Sequence, residues 1–290
     1  MERSVGLLIR SVLEKSGILL MQHLGFSGDE IIITGDSIVK TCRTNQDRFA
    51  LNAAKQAAFS NPFISAVPII DQGSIDGYSW IKMPYLDCDN AMLWLSKANA
   101  HSIILFIERI ANYLSHLLDK RNIHPFDYSA WTNKIDALSS QLTDTTILPI
   151  LTRLRTTKFH NGLYYGNYHG DLTLTNLLIF NDGSNLTIDA IDFLDCFIHS
   201  PINDFVKLRQ DTRHLWTFNL LQDHSFDANK VCIALNHIDS KIAKIIEADI
   251  ILKEYYLPFQ ILNLIRIIPY SRDANITAYL VREIIKLSGN

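Results

Sequence analysis

Three polar residues have types and spacing that could do chemistry together. Asp171 and Asn176 lie in the stretch Tyr168-His169-Gly170-Asp171-Leu172-Thr173-Leu174-Thr175-Asn176, and Asp192 follows in Ile191-Asp192-Phe193-Leu194-Asp195. Between Asn176 and Asp192 the chain runs apolar (177–180), then through Asn181-Asp182-Gly183-Ser184-Asn185, then apolar again (186–191). That pattern predicts a hairpin closed by an Asp-Gly turn. Asn176 enters the hairpin and Asp192 leaves it, so the two side chains meet at its open end, beside Asp171. An amide oxygen and a carboxylate suit magnesium, which takes oxygen ligands and usually only one or two carboxylates, with phosphates and water completing the shell. A further carboxylate off the metal, Asp171, could accept a proton from an attacking hydroxyl. Asp195 could reach a second metal ion or only shape the loop. Asp189 alternates onto the other face of the hairpin, away from the site.

The elements that must position these groups are mixed. Residues 1–22 carry apolar positions that fit an amphipathic helix leading into a strand. Residues 31–33 and 38–41 read as strands separated by a Thr34–Ser37 turn. Residues 46–59 read as a helix stopped by Ser60-Asn61-Pro62. Val67–Ile70 and Tyr78–Met83 read as strands joined by a polar turn over 71–77. From about residue 88 helix dominates, with an apolar period near 3.6 over 103–118, further helical segments at 91–95, 130–139 and 146–155, and helix from 200 to 287. Leu257-Pro258 and Ile268-Pro269 are expected to interrupt that last stretch.

HGDLTLTN at 169–176, a hairpin, and IDFLD at 191–195 together resemble the aminoglycoside phosphotransferase and choline kinase branch of the kinase-like superfamily. The resemblance implies an α+β, bilobal protein-kinase-like fold. A small β-rich lobe with one helix would span 1–86, and a larger helical lobe 87–290. It implies transfer of a phosphoryl group from ATP, with Mg2+, to a hydroxyl of a small molecule: a sugar, an amino alcohol or an aminoglycoside. Asp171 would be the base. His169 would belong to the same catalytic loop, fixing it, although its near-neutral titration also admits a base. Asn176, Asp192 and Asp195 would face the metal. Lys40 would be the strand lysine that holds the nucleotide phosphates; the alternative is a solvated lysine. Met83 and Tyr85 would belong to the connection between lobes that meets the adenine, where a plain buried strand with a proline stop predicts the same residues. Asp204, in Ser200-Pro201-Ile202-Asn203-Asp204-Phe205, would brace the catalytic loop.

Two features depart from the pattern. No GxGxxG is present; only Gly25 and Gly28 bracket Phe26-Ser27. The 46–59 helix has no Glu to pair with Lys40, so Gln56, Asn52 or Asp47 is expected to serve. A nucleotide-binding or scaffolding module without turnover is the rival these gaps support. The segment Arg48-Phe49 through Lys55-Gln56, preceded by Gly25-Phe26-Ser27-Gly28-Asp29, is also similar to phosphotransferases of bacterial polysaccharide clusters. IDFLD is followed by no long activation segment, which argues against a protein as acceptor.

Composition narrows the rest. The chain has 290 residues, 48% of them hydrophobic, enough for a sizeable core. The net charge of −3 provides no broad basic field for nucleic acid. Four scattered cysteines without a CxxC pair fit neither zinc nor a disulfide framework and suit a reducing cytoplasm. Charges break up any signal-peptide core, and no apolar run is long enough to span a membrane. Trp216, Tyr255, Tyr256 and Phe259 could wall an acceptor site, but aromatics at helical spacing are more often core. Arg266, in an apolar helix, is expected either to hold an anionic acceptor group or to pair with an acid.

Overall fold

A computed structural model describes residues 20–24 as backbone and residues 29–119, 122–181, 185–220, 227–271 and 273–289 in full. The expected helix near the N-terminus, Gly25, Gly28 and the Asp182-Gly183-Ser184 turn lie outside these residues. The fold is α+β and bilobal, with a small antiparallel sheet on one side and a helical body on the other.

The small lobe is built from β1 (Leu20–Leu24), β2 (Glu30–Thr34), β3 (Ser37–Thr41), α1 (Gln46–Ala58), β4 (Ser65–Ala66), β5 (Asp71–Ile75) and β6 (Tyr78–Pro84). Its sheet has the order β1-β2-β3-β6-β5. Strands β2 and β3 pair from Glu30↔Thr41 to Thr34↔Ser37, which leaves Gly35 and Asp36 as a tight turn with Gly35 at φ +57°. Helix α1 starts where the Asn45 side chain accepts the Arg48 amide. It buries Phe49, Ala53 and Gln56 against Cys42, Val67, Ile81 and Met83. The strands expected at 67–70 and 78–83 are shifted in part. Residues 71–75, read as a turn, form β5, and 67–70 are not a strand. The turn is only Asp76-Gly77, with φ +51° and +81°, values that an Asp-Gly pair tolerates. β5 is an exposed edge strand, so it has no apolar alternation to announce it.

The larger lobe contains β7 (Asp89–Asn90), α2 (Ala91–Lys97), α3 (Ala100–His116), β8 (Ile123–His124), α4 (Tyr128–Gln141), α5 (Leu148–Thr156), β9 (Leu163–Tyr164), β10 (Leu177–Asn181) and β11 (Leu186–Ala190). It continues with α6 (Ile202–Thr212), α7 (Trp216–Leu220), α8 (Ala228–Ala248), α9 (Ile250–Ile267) and α10 (Ala274–Leu287). The expected interruption at Pro258 does not occur: α9 runs through it. Buried Tyr255, Phe259 and Leu262 on either side of Pro258 hold the helix together, and their packing offsets the missing hydrogen bond. Among the described residues, no helix is long and apolar enough to cross a membrane.

One sheet joins the lobes. The β10–β11 hairpin pairs Leu177↔Ala190 through Asn181↔Leu186, and β4 adds in parallel with Ser65↔Asp189 and Ala66↔Ala190. The Val67 amide continues the ladder to the Ala190 carbonyl. The segment leaving α1 is therefore stitched directly to the strand that leads to Asp192.

The main core packs the helices under this hairpin. Trp131 is completely buried there, donates its indole N–H to the Leu154 carbonyl at 2.9 Å, and stacks near Phe126, Phe159 and Phe259. Trp131→Ala leaves a large cavity and removes one of the two hydrogen bonds to the Leu154 carbonyl, and is expected to cost about 3–5 kcal/mol. Urea unfolding that shows a lowered midpoint with an unchanged slope checks this.

Candidate active site

Helix α6 builds the 169–176 loop. Asp204, Lys207 and Asp211 stand at i, i+3 and i+7, so they share one face of the helix, and each engages the loop. Asp204 accepts the amides of His169 at 2.8 Å and Gly170 at 2.6 Å, and the Tyr113 hydroxyl donates to it at 2.6 Å. Lys207 Nζ lies 2.9 Å from Asp171 Oδ1. Asp211 accepts the Leu174 amide at 2.8 Å and the Thr217 hydroxyl at 2.7 Å. Asp204 does not cap the helix: Pro201 occupies the N-cap position, and Asp204 sits in the first turn. Its carboxylate faces the loop, which is why it is fully buried yet fully partnered.

The open end of the hairpin gathers the remaining groups. The Ile191 amide donates to the Asn176 carbonyl at 3.0 Å, extending the ladder and setting Asp192 one residue beyond Asn176's partner. The Asn176 amide group donates to the Asp171 carbonyl at 2.9 Å and to Asp171 Oδ2 at 3.3 Å. Asp192 adopts φ +59°, a conformation that Asp tolerates better than most residues and that aims its carboxylate out of the strand direction. Asp171 is held charged. Burial works against its charge, but the adjacent Lys207 charge and hydrogen bond outweigh that and lower its pKa below the usual carboxylate range.

His169 holds the loop backbone through both ring nitrogens. It is completely buried, with its Phe193 neighbour at a ring distance of 4.2 Å. Nδ1 accepts the Asp171 amide at 3.1 Å, which leaves Nε2 to donate to the Ile191 carbonyl at 2.8 Å. Both ring nitrogens are thus committed to backbone, and burial lowers the imidazole pKa. Gly170 has φ +92°, and a Cβ there would lie 2.1 Å from the Leu194 carbonyl oxygen. Only glycine lets the two loops close on each other.

Lys40 points at this end of the hairpin. Its Nζ is 2.8 Å from Asp192 Oδ1 and 3.6 Å from Asp29 Oδ2. Burial alone would lower its pKa; the Asp192 charge and hydrogen bond, helped by Asp29, more than reverse this and raise it. The expected helix partner is corrected here. Gln56 does not touch Lys40: its amide donates to the Val67 carbonyl at 2.7 Å and to Met83 Sδ at 3.2 Å. The second acid comes from Asp29, just before β2, a position that the search for a helix residue passed over. Asn52 accepts the Asp195 amide at 2.7 Å, and Lys55, not singled out in the sequence, donates to the Leu194 carbonyl at 2.7 Å over the Tyr168 ring. Helix α1 therefore grips the 194–195 backbone rather than Lys40.

Other expected positions divide. Met83 is buried in the small-lobe core beside Ile81, facing Leu178 and Ile191 of the hairpin. The Tyr85 amide already donates to the Asp36 carbonyl at 2.7 Å, so that N–H is not free for a base. Asp195 turns toward His199, at 3.4 Å. Among the described residues, no group of three or more His, Cys, Asp or Glu side chains is arranged to hold a metal ion. A cation at this site would rest on the Asp192 carboxylate and the Asn176 amide oxygen, a hard-oxygen pair that fits magnesium sharing its shell with phosphates. Lys207 and Asp211 also escaped the sequence reading. Their signal was charged residues at helical spacing on one face of the helix.

The architecture is that of the kinase-like phosphotransferases. Aminoglycoside phosphotransferase APH(4)-Ia, as a thermostable mutant in a ternary complex with ADP and hygromycin B, aligns over 97% of this chain and 97% of its own with a TM-score of 0.60 and 12% identity. A glucosamine kinase in complex with glucosamine, ADP and inorganic phosphate aligns over 96% of this chain and 81% of its own, with a TM-score of 0.51 and 13% identity. No protein-family model matches the chain, and no curated protein matches it in sequence.

Gly170→Ala is expected to unseat the 194–195 loop and destabilise the fold by more than 2 kcal/mol, because the atom the new methyl meets is backbone. Thermal unfolding measures it. The buried, neutral His169 gives a pH signature. Its folded-state pKa is lower than its unfolded value of about 6.5, so its contribution to stability is complete above that pH and is lost as pH falls below it. Stability should drop as pH falls below about 6.5, and His169→Asn should flatten that part of the curve in pH-dependent urea titrations.

Proposed function

We propose that this chain transfers the γ-phosphoryl group of ATP to a hydroxyl of a small molecule. The observation that carries this reading is the convergence of a charged Asp171, Asn176 and Asp192 at one hairpin end, with Lys40 bonded to Asp192. The fold shared with nucleotide-bound phosphotransferases supports it. The acceptor hydroxyl would lie against Asp171, which orients it and takes its proton as the new P–O bond forms and the bond to the ADP leaving oxygen breaks. Lys207 keeps Asp171 ionised and fixed. Lys40 would hold the nucleotide phosphates, exchanging part of its pairing with Asp192 for theirs. When bound, Mg2+ on Asn176 and Asp192 would neutralise phosphate charge. Met83, with Leu178 and Ile191 facing its cluster, would wall the adenine, and the backbone around Tyr85 would line the connection between lobes dividing near residue 86.

The missing helix glutamate is the observation that favours a module without turnover. Asp29, 3.6 Å from Lys40, supplies an acid near the same ammonium and weakens that reading. Only nine residues separate Asp192 from the start of α6, which leaves no room for a protein-docking activation segment and supports a small acceptor. A cytoplasmic setting, where ATP is available, completes the reading.

Asp171→Asn keeps the shape but cannot take a proton, so turnover is expected to fall about 100- to 10,000-fold with nucleotide affinity little changed. Asp192→Ala should uncouple nucleotide binding from magnesium. Steady-state kinetics and calorimetric titration of ATP with and without Mg2+ read both. Turnover near the parent value in Asp171→Asn would remove it as the base.

A further inference from the structure

A cavity of about 380 Å³ opens against residues 195–197, and its charge is opposite to that of the chain. Arg48 from α1, Lys134 from α4 and Arg266 from α9 converge on it, with Asp195, Phe197 and His199 completing the wall. The chain as a whole carries −3, yet this cavity gathers three permanent cations against one carboxylate. Asp195 is drawn toward His199, 3.4 Å away. Among the described residues, no acid lies within ion-pair distance of Arg48, Lys134 or Arg266; the Arg266 guanidinium instead rests over the Phe197 ring at 5.3 Å. The crowding has a measurable consequence. Burial lowers the Lys134 pKa, and the charges of Arg266 and Arg48 lower it further.

The cavity adjoins the proposed reaction centre. The lining residue Cys196 has its Sγ 3.4 Å from the Gly170 carbonyl, one residue before Asp171. The charge of Arg266 is also felt at the Asp171 carboxylate. Lys207 already neutralises Asp171, so among the described residues the three cations of the cavity face only the Asp195 carboxylate and have no ion-pair partner. Like charges held together in a part-buried space raise one another's energy, and an anion relieves that.

We propose that this cavity is the acceptor site and that the acceptor is an anionic hydroxyl compound, a sugar acid or a sugar phosphate. This rests on the phosphotransferase reading for the word acceptor, but the charge selectivity stands independently of turnover. Arg48, Lys134 and Arg266 would grip the carboxylate or phosphate through charge-assisted hydrogen bonds, leaving the hydroxyl toward Asp171. An aminoglycoside, an amino sugar or choline, cationic at neutral pH, meets like charge here and is disfavoured.

The test uses one ring in four charge states: glucose, glucuronate, glucose 6-phosphate and glucosamine. Calorimetric binding to the full chain without nucleotide is expected to favour at least one of the two anions over glucose by about tenfold or more, and to weaken as salt rises. Whichever of glucuronate and glucose 6-phosphate binds tighter tells carboxylate from phosphate. The preference should vanish in Lys134→Gln and in Arg266→Gln, and Lys134, only half-buried, serves if the Arg266 variant does not fold. Equal or tighter binding of glucose or glucosamine overturns the proposal, as does failure of both anions to bind. The same four compounds with Mg-ATP, read as ADP release, test the enzyme reading separately. Anion-selective binding with no ADP release would sink the phosphotransferase and leave the anion site standing.

Discussion

The pair of hydrogen bonds from the His169 and Gly170 amides to Asp204 is the constraint on which the site depends. A loop that must reverse direction in the protein interior leaves backbone donors facing inward, and each unmet donor would cost about 1–3 kcal/mol. Asp204 meets two at once with one carboxylate, and the Tyr113 hydroxyl donates to the oxygen that takes the His169 amide. With the loop pinned there, the Gly170 position is forced into the left-handed region, the Leu194 carbonyl packs on its bare α-carbon, and the Leu194 amide returns a bond to the His169 carbonyl at 3.0 Å. The two chemistry-bearing segments thus share a backbone contact, and their side chains inherit its precision.

Helix α6 extends the same logic along its length. Asp204 fixes the start of the loop, Lys207 the carboxylate in its middle, and Asp211 its exit at Leu174. Three polar residues buried on one face would be a liability in an ordinary core helix. Here each has a loop group opposite it, so the helix reads as a template for the loop and the surrounding apolar residues as what keeps the template in place.

Much of this was legible before any coordinates, for reasons that can be given residue by residue. The hairpin announced itself because β10 and β11 are apolar runs around a turn-rich stretch, and the fixed spacing of Asp171, Asn176 and Asp192 marked its open end. The long helices showed their period. What stayed hidden depended on tertiary neighbours. The edge strand β5 has no buried face to print an alternation. Pro258 was read by its local rule, which packing overrode. Gln56 was chosen for its helix position, yet a buried amide bonds whatever polar atom the core brings near it, here the Val67 carbonyl. Lys207 acts on Asp171 from a separate helix and Asp29 on Lys40 from the start of the neighbouring strand, and nothing in their immediate sequence points to these partners.

The grip of α1 on the 194–195 backbone has a consequence for control. In many two-lobed folds the corresponding helix swings, and a modification or partner chooses its position. Moving α1 here would strand the half-buried Lys55 ammonium and the Leu194 carbonyl, release the Asp195 amide from Asn52, and strain the parallel β4–β11 pairing that follows the helix. Those losses fall together, so the helix has no inexpensive second position for a modification or a partner to choose. A helix wired in this way keeps a single seat on the 194–195 backbone.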